Sequence, residues 1–451
     1  MFNRLRHFMR ELSGNTSGNA LLMVAAGMPA LIGGGLQRHN LRRLGRFAHR
    51  RSGQASLHPG NPLQARPMDV ADLRIALFSG NYNYVRDGAN QALNRLVGYL
   101  LKQGAQVRVY SPTVDEPAFP PTGDLFSVPS SAFPGRGEYR IPMALSPAVR
   151  RDMKAFAPNV VHVSSPDVVA HRAVSWARNR KLPVLASVHT RFETYFRYYN
   201  MAWLEPVVEA MLRRFYRRCD ALVAPSESMA QLLRQQRMNY DISIWSRGVD
   251  REVFNPGRRD GEWRRGLGIG DDEVVIGFLG RLVMEKGLDV FSDTIDELTR
   301  RGVPHRVLVV GEGPANDWFA SRLPSAVFAG FQGGSDLGRA VASMDVLFNP
   351  SITETFGNVT LEAMACGIPV VAAAATGSQS LVDDGQSGRL VPPGAIHHFA
   401  EALRGYVVQG ELRTRHGAAG EARSLEFSWD RINQAVADTY ARLVWQKARV
   451  R

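Results

Sequence analysis

The sequence predicts an α/β protein of two Rossmann-like domains facing each other across a central cleft. Three observations predict it. Short apolar, β-rich runs alternate with longer helical patterns from Leu73 onward, and the alternation restarts after a Pro/Gly/Arg-rich stretch near residue 250. The chain has 451 residues, too many for one ordinary core. Continuous apolar strands between helices indicate a parallel sheet covered on both faces, and such sheets bind ligands beyond the carboxyl ends of their strands.

Residues 1–67 read as a basic, poorly ordered tail, with the folded part beginning near Met68. Residues 1–72 hold ten arginines against three acids, a surplus of seven in a chain whose net charge is +13. Such a tail suits an anionic membrane surface or nucleic acid; no nucleic-acid-binding motif accompanies it, so nucleic acid is not expected as a partner. The run Ala20 to Leu36 falls short of the roughly 20 residues of a membrane span and contains a proline and three consecutive glycines. Its surroundings resemble the amino-terminal anchor of TadE/TadG-type pilus-assembly proteins. Two cysteines, Cys219 and Cys366, argue against a disulfide framework and for a reducing compartment.

The first domain spans 73–245. Its strand patterns are "LRIALFSG", "QVRVYSP", "VVHVSSP", "PVLASVH" and "ALVAPS", and its first helix, "ANQALNRLVGYLLKQG", ends on Gly104. "GVDREVFNPGRRDGEWRRGLG" reads as the interdomain connection. The second domain, 250–425, repeats the pattern with "VVIGFLGRL", "HRVLVVGEG", "AVFAGF", "DVLFNPS" and "PVVAAAA". Residues 426–451 form a C-terminal helix that can cross back to the first domain.

Unusual residues cluster at the strand ends. "GFLGRLVMEKG" places Gly280, Arg281 and Lys286 just past a strand, where a guanidinium fork and a mobile ammonium suit a diphosphate. Taken alone, they also fit two solvated loop charges. "VVGEGP" ends the next strand with Gly311 and Gly313, which let backbone approach a ligand. "ITETFGNVTLEAMACGIPVVA" sets Glu354 and Glu362 eight positions apart, with Thr355, Phe356, Gly357 and Asn358 leading into a helix expected to start near Phe356. Free N–H groups at that helix start favour an anion. Glu354 is placed to accept from sugar hydroxyls and Glu362 to hold a ribose. An isolated Glu pair would equally fit a surface position and an N-terminal acid.

These motifs, in this order, resemble glycosyltransferase family 4, retaining nucleotide-sugar enzymes of the GT-B fold. The hallmark is Glu, seven residues, Glu, then "ACGIPVVA" and "VDDGQSGRLVPP"; "GRLVMEKG" matches the phosphate-binding segment. "SVHTRFETY" and "SIWSRGVDREVFNP" are similar to the mannosyl- and sulfoquinovosyl-transferase branch that modifies lipids. The resemblance, from about Leu73 to Leu443, implies His189 beside the anomeric centre, Arg281, Lys286 and Glu354 as catalytic groups, and same-face attack with retention. It implies no cofactor and no metal, despite the Asp-Asp pairs at 271–272 and 383–384. "SGNYNYVRDGANQAL" departs from the usual glycine-rich acceptor loop, and Gly80, Asn81, Tyr82 and Gly88 stand in that place.

The function expected is hexose transfer from a nucleotide diphosphate sugar, GDP-mannose first, to a lipid or glycolipid. A UDP-sugar donor is the alternative within the class, and an inactive nucleotide-binding or pilus-associated scaffold the alternative outside it. "YFRYYNMAWLEPVVEAMLRRFYRRC" (195–219) carries five arginines on a helical pattern and reads as a basic amphipathic helix for an anionic membrane. The same pattern also fits a domain helix with a solvated basic face. The expected location is cytoplasmic, peripheral at the inner face of the membrane.

Overall fold

The computed structural model describes residues 68–449 apart from 86–87, 134–135 and 190–201. The tail 1–67 lies outside the described residues. The strands of the first domain are β1 (Arg74–Phe78), β2 (Gln106–Ser111), β3 (Asp124–Ser127), a separate antiparallel pair β4 (Ser130–Phe133) and β5 (Arg136–Pro142), then β6 (Val160–Val163), β7 (Val184–Ser187), β8 (Ala221–Ala224) and β9 (Ile242–Ile244). Seven of them form one parallel sheet in the order β3-β2-β1-β6-β7-β8-β9.

The second domain repeats the plan with β10 (Val275–Leu279), β11 (Arg306–Val310), β12 (Val327–Phe328), β13 (Val346–Asn349), β14 (Val370–Ala373) and β15 (Gly388–Val391), ordered β12-β11-β10-β13-β14-β15. Each sheet reverses its strand order once, between β1 and β6 and between β10 and β13. A crevice opens at such a reversal, beyond the strands' carboxyl ends.

Alternation along β1 shows why these strands read as unbroken apolar runs. Ile75 and Leu77 enter a cluster with Leu96, Leu100 and Tyr440, while Ala76 and Phe78 enter the opposite cluster with Val149, Val174 and Phe215. Each fully buried Leu or Phe contributes about 1.5–3 kcal/mol, so a polar residue on either face is costly. β3, β9 and β15 lie at sheet edges, and with the β4–β5 pair they escape the sequence pattern. Their runs are only 3–7 residues long and partly polar.

The helix Trp429–Arg449 follows the second domain but packs on the first. Ile432, Val436, Tyr440 and Leu443 join the core beneath β1. Arg442 grips Asp241 with two bonds of 2.7 and 2.8 Å, and Lys447 reaches Asp220 at 2.8 Å. The chain therefore crosses between domains twice, side by side, with Val249 N–H donating to the Phe427 carbonyl at 3.2 Å.

One expectation changes here. Within 195–219, residues 195–201 lie outside the described residues, and the helix Glu205–Tyr216 turns Val208, Leu212, Phe215 and Tyr216 into the core. That apolar side packs protein and is not free for a bilayer. Among the described residues no helix is long and apolar enough to cross a membrane.

Candidate active site

The helix anticipated near Phe356 runs Asn358–Ala365, and Gly357 caps it with a left-handed φ of 97°. Among the described residues, no side chain caps its first amides. Lys286, closing a short 3-10 turn after β10, donates from Nζ to Glu354 Oε1 at 2.9 Å. Asn349, the last residue of β13, donates to Thr360 Oγ1 at 3.2 Å and to Glu354 Oε2 at 3.5 Å. Glu354 is thus fixed between an ammonium and an amide with its side chain 10% exposed. Arg281 is exposed, and its side chain has no hydrogen bond or ion pair among the described residues.

The floor is bare backbone. Gly280 follows β10 and Gly311 follows β11, with φ of 144° and 138°. A Cβ at Gly311 would lie 1.9 Å from the Gly280 carbonyl oxygen, and one at Gly313 would lie 2.3 Å from that of Leu282. These loops can approach so closely only without side chains.

Glu362, partly buried in the helix, has its carboxyl pushed up to about 7, first by desolvation and second by the Glu354 charge. Two carboxyl groups therefore meet here in unlike states, one ion-paired and one reluctant to ionise. Phe356 turns away: its ring is buried, edge-on to Phe427 at 5.8 Å. Only its backbone can serve a ligand.

His189, just past β7, uses both ring nitrogens. Arg247, a donor only, gives Nη2–H to Nδ1 at 2.9 Å, which leaves the proton on Nε2 to be donated to Ser187 Oγ at 2.8 Å. Burial, then the Arg247 and His162 charges, holds its pKa well below the usual histidine value. The ring is neutral and fixed. Across the crevice, Thr355 Oγ1 donates to the His189 carbonyl at 2.9 Å, and Ser226 Oγ donates to the Thr355 carbonyl at 2.9 Å.

The acceptor-side residues divide. Gly80 and Asn81 stabilise their own loop: Tyr84 Oη donates to the Gly80 carbonyl at 2.8 Å, and Val85 N–H donates to Asn81 Oδ1 at 3.3 Å. Tyr82 is fully buried and donates to the Thr122 carbonyl at 2.7 Å, so its hydroxyl holds the fold and does not face the crevice. Gly88 starts the helix Gly88–Lys102 directly against Asn358, where a Cβ would lie 2.8 Å from Asn358 Nδ2. Two helix starts, one from each domain, meet at one point.

Ser226 and Arg247 were missed in the sequence although both stand at strand ends. "APSES" carries a visible cap signal, since Ser226 caps the helix Glu227–Gln235. Among the described residues no group of His, Cys, Asp and Glu is arranged to hold a metal ion.

Residues 86–253 match the family described as Glycosyltransferase Family 4, and residues 273–407 match Glycosyl transferases group 1. Sulfoquinovosyl transferase SQD2 of Arabidopsis thaliana is 30% identical over 82% of this chain and 74% of its own length. A GDP-mannose-dependent alpha-mannosyltransferase of Mycolicibacterium smegmatis is 30% identical over 74% of this chain and 90% of its own. Among solved structures, sucrose-phosphate synthase of Thermosynechococcus elongatus shares the fold with a TM-score of 0.66 at 19% identity, covering 82% of this chain and 98% of that one.

Proposed function

This chain belongs to glycosyltransferase family 4 with the GT-B fold, and from that premise we propose that it moves a hexose, with retention, from a nucleotide diphosphate sugar to a lipid or glycolipid. GDP-mannose is the first donor to test, because the mannosyltransferase relatives align over most of their length. The observation that carries the reading is the Lys286–Glu354 pair at the foot of the helix that begins at Asn358, opposite His189.

When the glycosidic bond to the diphosphate breaks, negative charge grows on the leaving oxygen and the sugar becomes oxocarbenium-like. Lys286, Arg281 and the amides after Gly357 are preoriented donors for that charge. Each charge-assisted bond is worth roughly 1.5–3 kcal/mol, so two concentrated on the transition state supply several powers of ten in rate. The acceptor hydroxyl attacks the same face of the sugar as a phosphate oxygen takes its proton. His189, neutral, lies beside the sugar without adding charge. Glu362 accepts from the ribose, which favours its ionised form. The diphosphate charge is met by these side chains and amides, so we propose no metal and no cofactor.

A UDP-sugar donor is the second reading, favoured by the sulfoquinovosyl transferase relative. Thermal-shift titration with GDP, UDP and ADP, followed by their sugars, decides the base. A preference for GDP together with turnover of GDP-mannose supports the first reading; a preference for UDP replaces it with the second. Stabilisation by none of the three overturns both. We propose that the enzyme works at the cytoplasmic face of the membrane, where such donors and a lipid acceptor would meet.

A further inference from the structure

We infer that a basic groove on the outer face of the first domain, away from the donor cleft, docks the protein on anionic phospholipid. The groove lies between the helices Pro147–Phe156 and Val168–Asn179 and has a volume of about 530 Å³. Arg150, Arg151, Lys154, Arg172 and Arg180 line it, and among the described residues no carboxylate does. Arg151, Lys154 and Arg172 are exposed, and their side chains have no hydrogen-bond or ion-pair partner among the described residues.

Several arginines of the second domain are neutralised instead. On the second domain Arg322 is bound by Asp293 and Asp296, Arg339 by Asp336 and Arg265 by Asp271. Cations crowded into one concavity repel one another, and an anion placed there relieves that repulsion. The packing of the two helices keeps the charges together. Val149 and Met153 of one and Val169, Ala173 and Ala177 of the other are buried in a common core, which turns the intervening basic residues outward.

The walls favour a lipid headgroup over a nucleic acid. Trp176 lines the groove above the nearly buried Leu145, and the Arg180 guanidinium lies 4.1 Å from the Trp176 ring centroid, so it takes the ring face that a stacking base would need. Met143, two residues before Leu145, is 53% exposed at the adjoining surface. Cations beside apolar side chains match a phosphate layer above acyl chains. The sequence pointed to the next helix, Glu205–Tyr216, whose apolar side is buried; the structure moves the contact to its neighbours.

The inference stands without the transferase reading, and its test uses no acceptor. Full-length protein is sedimented with phosphatidylcholine vesicles with and without phosphatidylglycerol, beside the triple variant Arg151→Glu, Lys154→Glu, Arg172→Glu. Loss of each cation alone weakens binding to anionic vesicles by about fivefold, so the three reversals together weaken it by about a hundredfold or more. An unchanged melting temperature in the variant shows that the fold is intact. Should the variant not fold, the milder single change Arg172→Gln is measured the same way. Equal sedimentation of wild type and variant overturns the proposal and assigns binding to another surface. Failure of wild type to bind phosphatidylglycerol, with charge-dependent binding of single-stranded RNA instead, also overturns it.

Discussion

Lys286 is held ready by Glu354, and that pair sets the first expectation. Lys286→Ala removes one charge-assisted bond to the leaving group and takes the ammonium away from Glu354; kcat/KM falls roughly 10- to 100-fold, checked by initial rates with the donor that binds. Glu362 gives a pH signature. Its folded pKa, about 7, lies above the ordinary glutamate value, so the folded state binds more protons than the unfolded one between those values. The unliganded protein therefore loses stability from this group as pH rises from about 4.5 to 7. Glu362→Gln removes that loss, on the order of 1–3 kcal/mol, and denaturation of both proteins at pH 5 and pH 8 measures it. At this scale the sequence was legible where chemistry depends on residue type and spacing, as for Lys286 and the two glutamates. It was not legible for Tyr82 or Phe356, because a tyrosine or phenylalanine beside a glycine loop looks the same whether it faces a ligand or a core. Only packing against Thr122 and Phe427 separates the two.

The loops after β10 and β11 work because two backbones touch. Gly311→Ala puts a Cβ into the Gly280 carbonyl and into a left-handed backbone, which costs about 3 kcal/mol or more and lowers Tm by several degrees. Gly88→Ala differs, since its Cβ meets only the flexible end of Asn358. Tm then changes little, while nucleotide affinity, read by calorimetry, weakens as Asn358 is pushed aside. Central strands were legible because burial on both faces forces an unbroken apolar run. Edge strands were not: β3 tolerates the exposed Asp124, and β9 carries Ser243, which accepts from Thr439 of the C-terminal helix at 3.2 Å. The helix Glu205–Tyr216 had the right period and the wrong partner in the sequence reading; a hydrophobic stripe records that it is covered but not by what.

Across the whole molecule, the C-terminal helix ties the second domain to the core of the first, and the two polar contacts through Thr355 hold the crevice walls in register. Buried histidines make this assembly acid-sensitive. His162 is lowered to about 3 and His171 to about 4 by burial, and His189 is lowered too. Each contributes stability that is fully present above the unfolded value near 6.5 and is lost as pH falls below it. Stability should drop by roughly 1.4 kcal/mol per pH unit per histidine below pH 6, seen as a falling Tm between pH 7.5 and 5.5. Two repeated sheets and a cleft could be read from the sequence, since both restart the same alternation. The interdomain contacts could not, because Ser226, Arg247 and Thr355 come together only when the halves are assembled. The most direct test is a crystal structure with the nucleoside diphosphate that binds best. The account predicts its terminal phosphate within hydrogen-bonding distance of Lys286 Nζ and the amides following Gly357. A diphosphate bound in another part of the molecule, with those groups untouched, would contradict it.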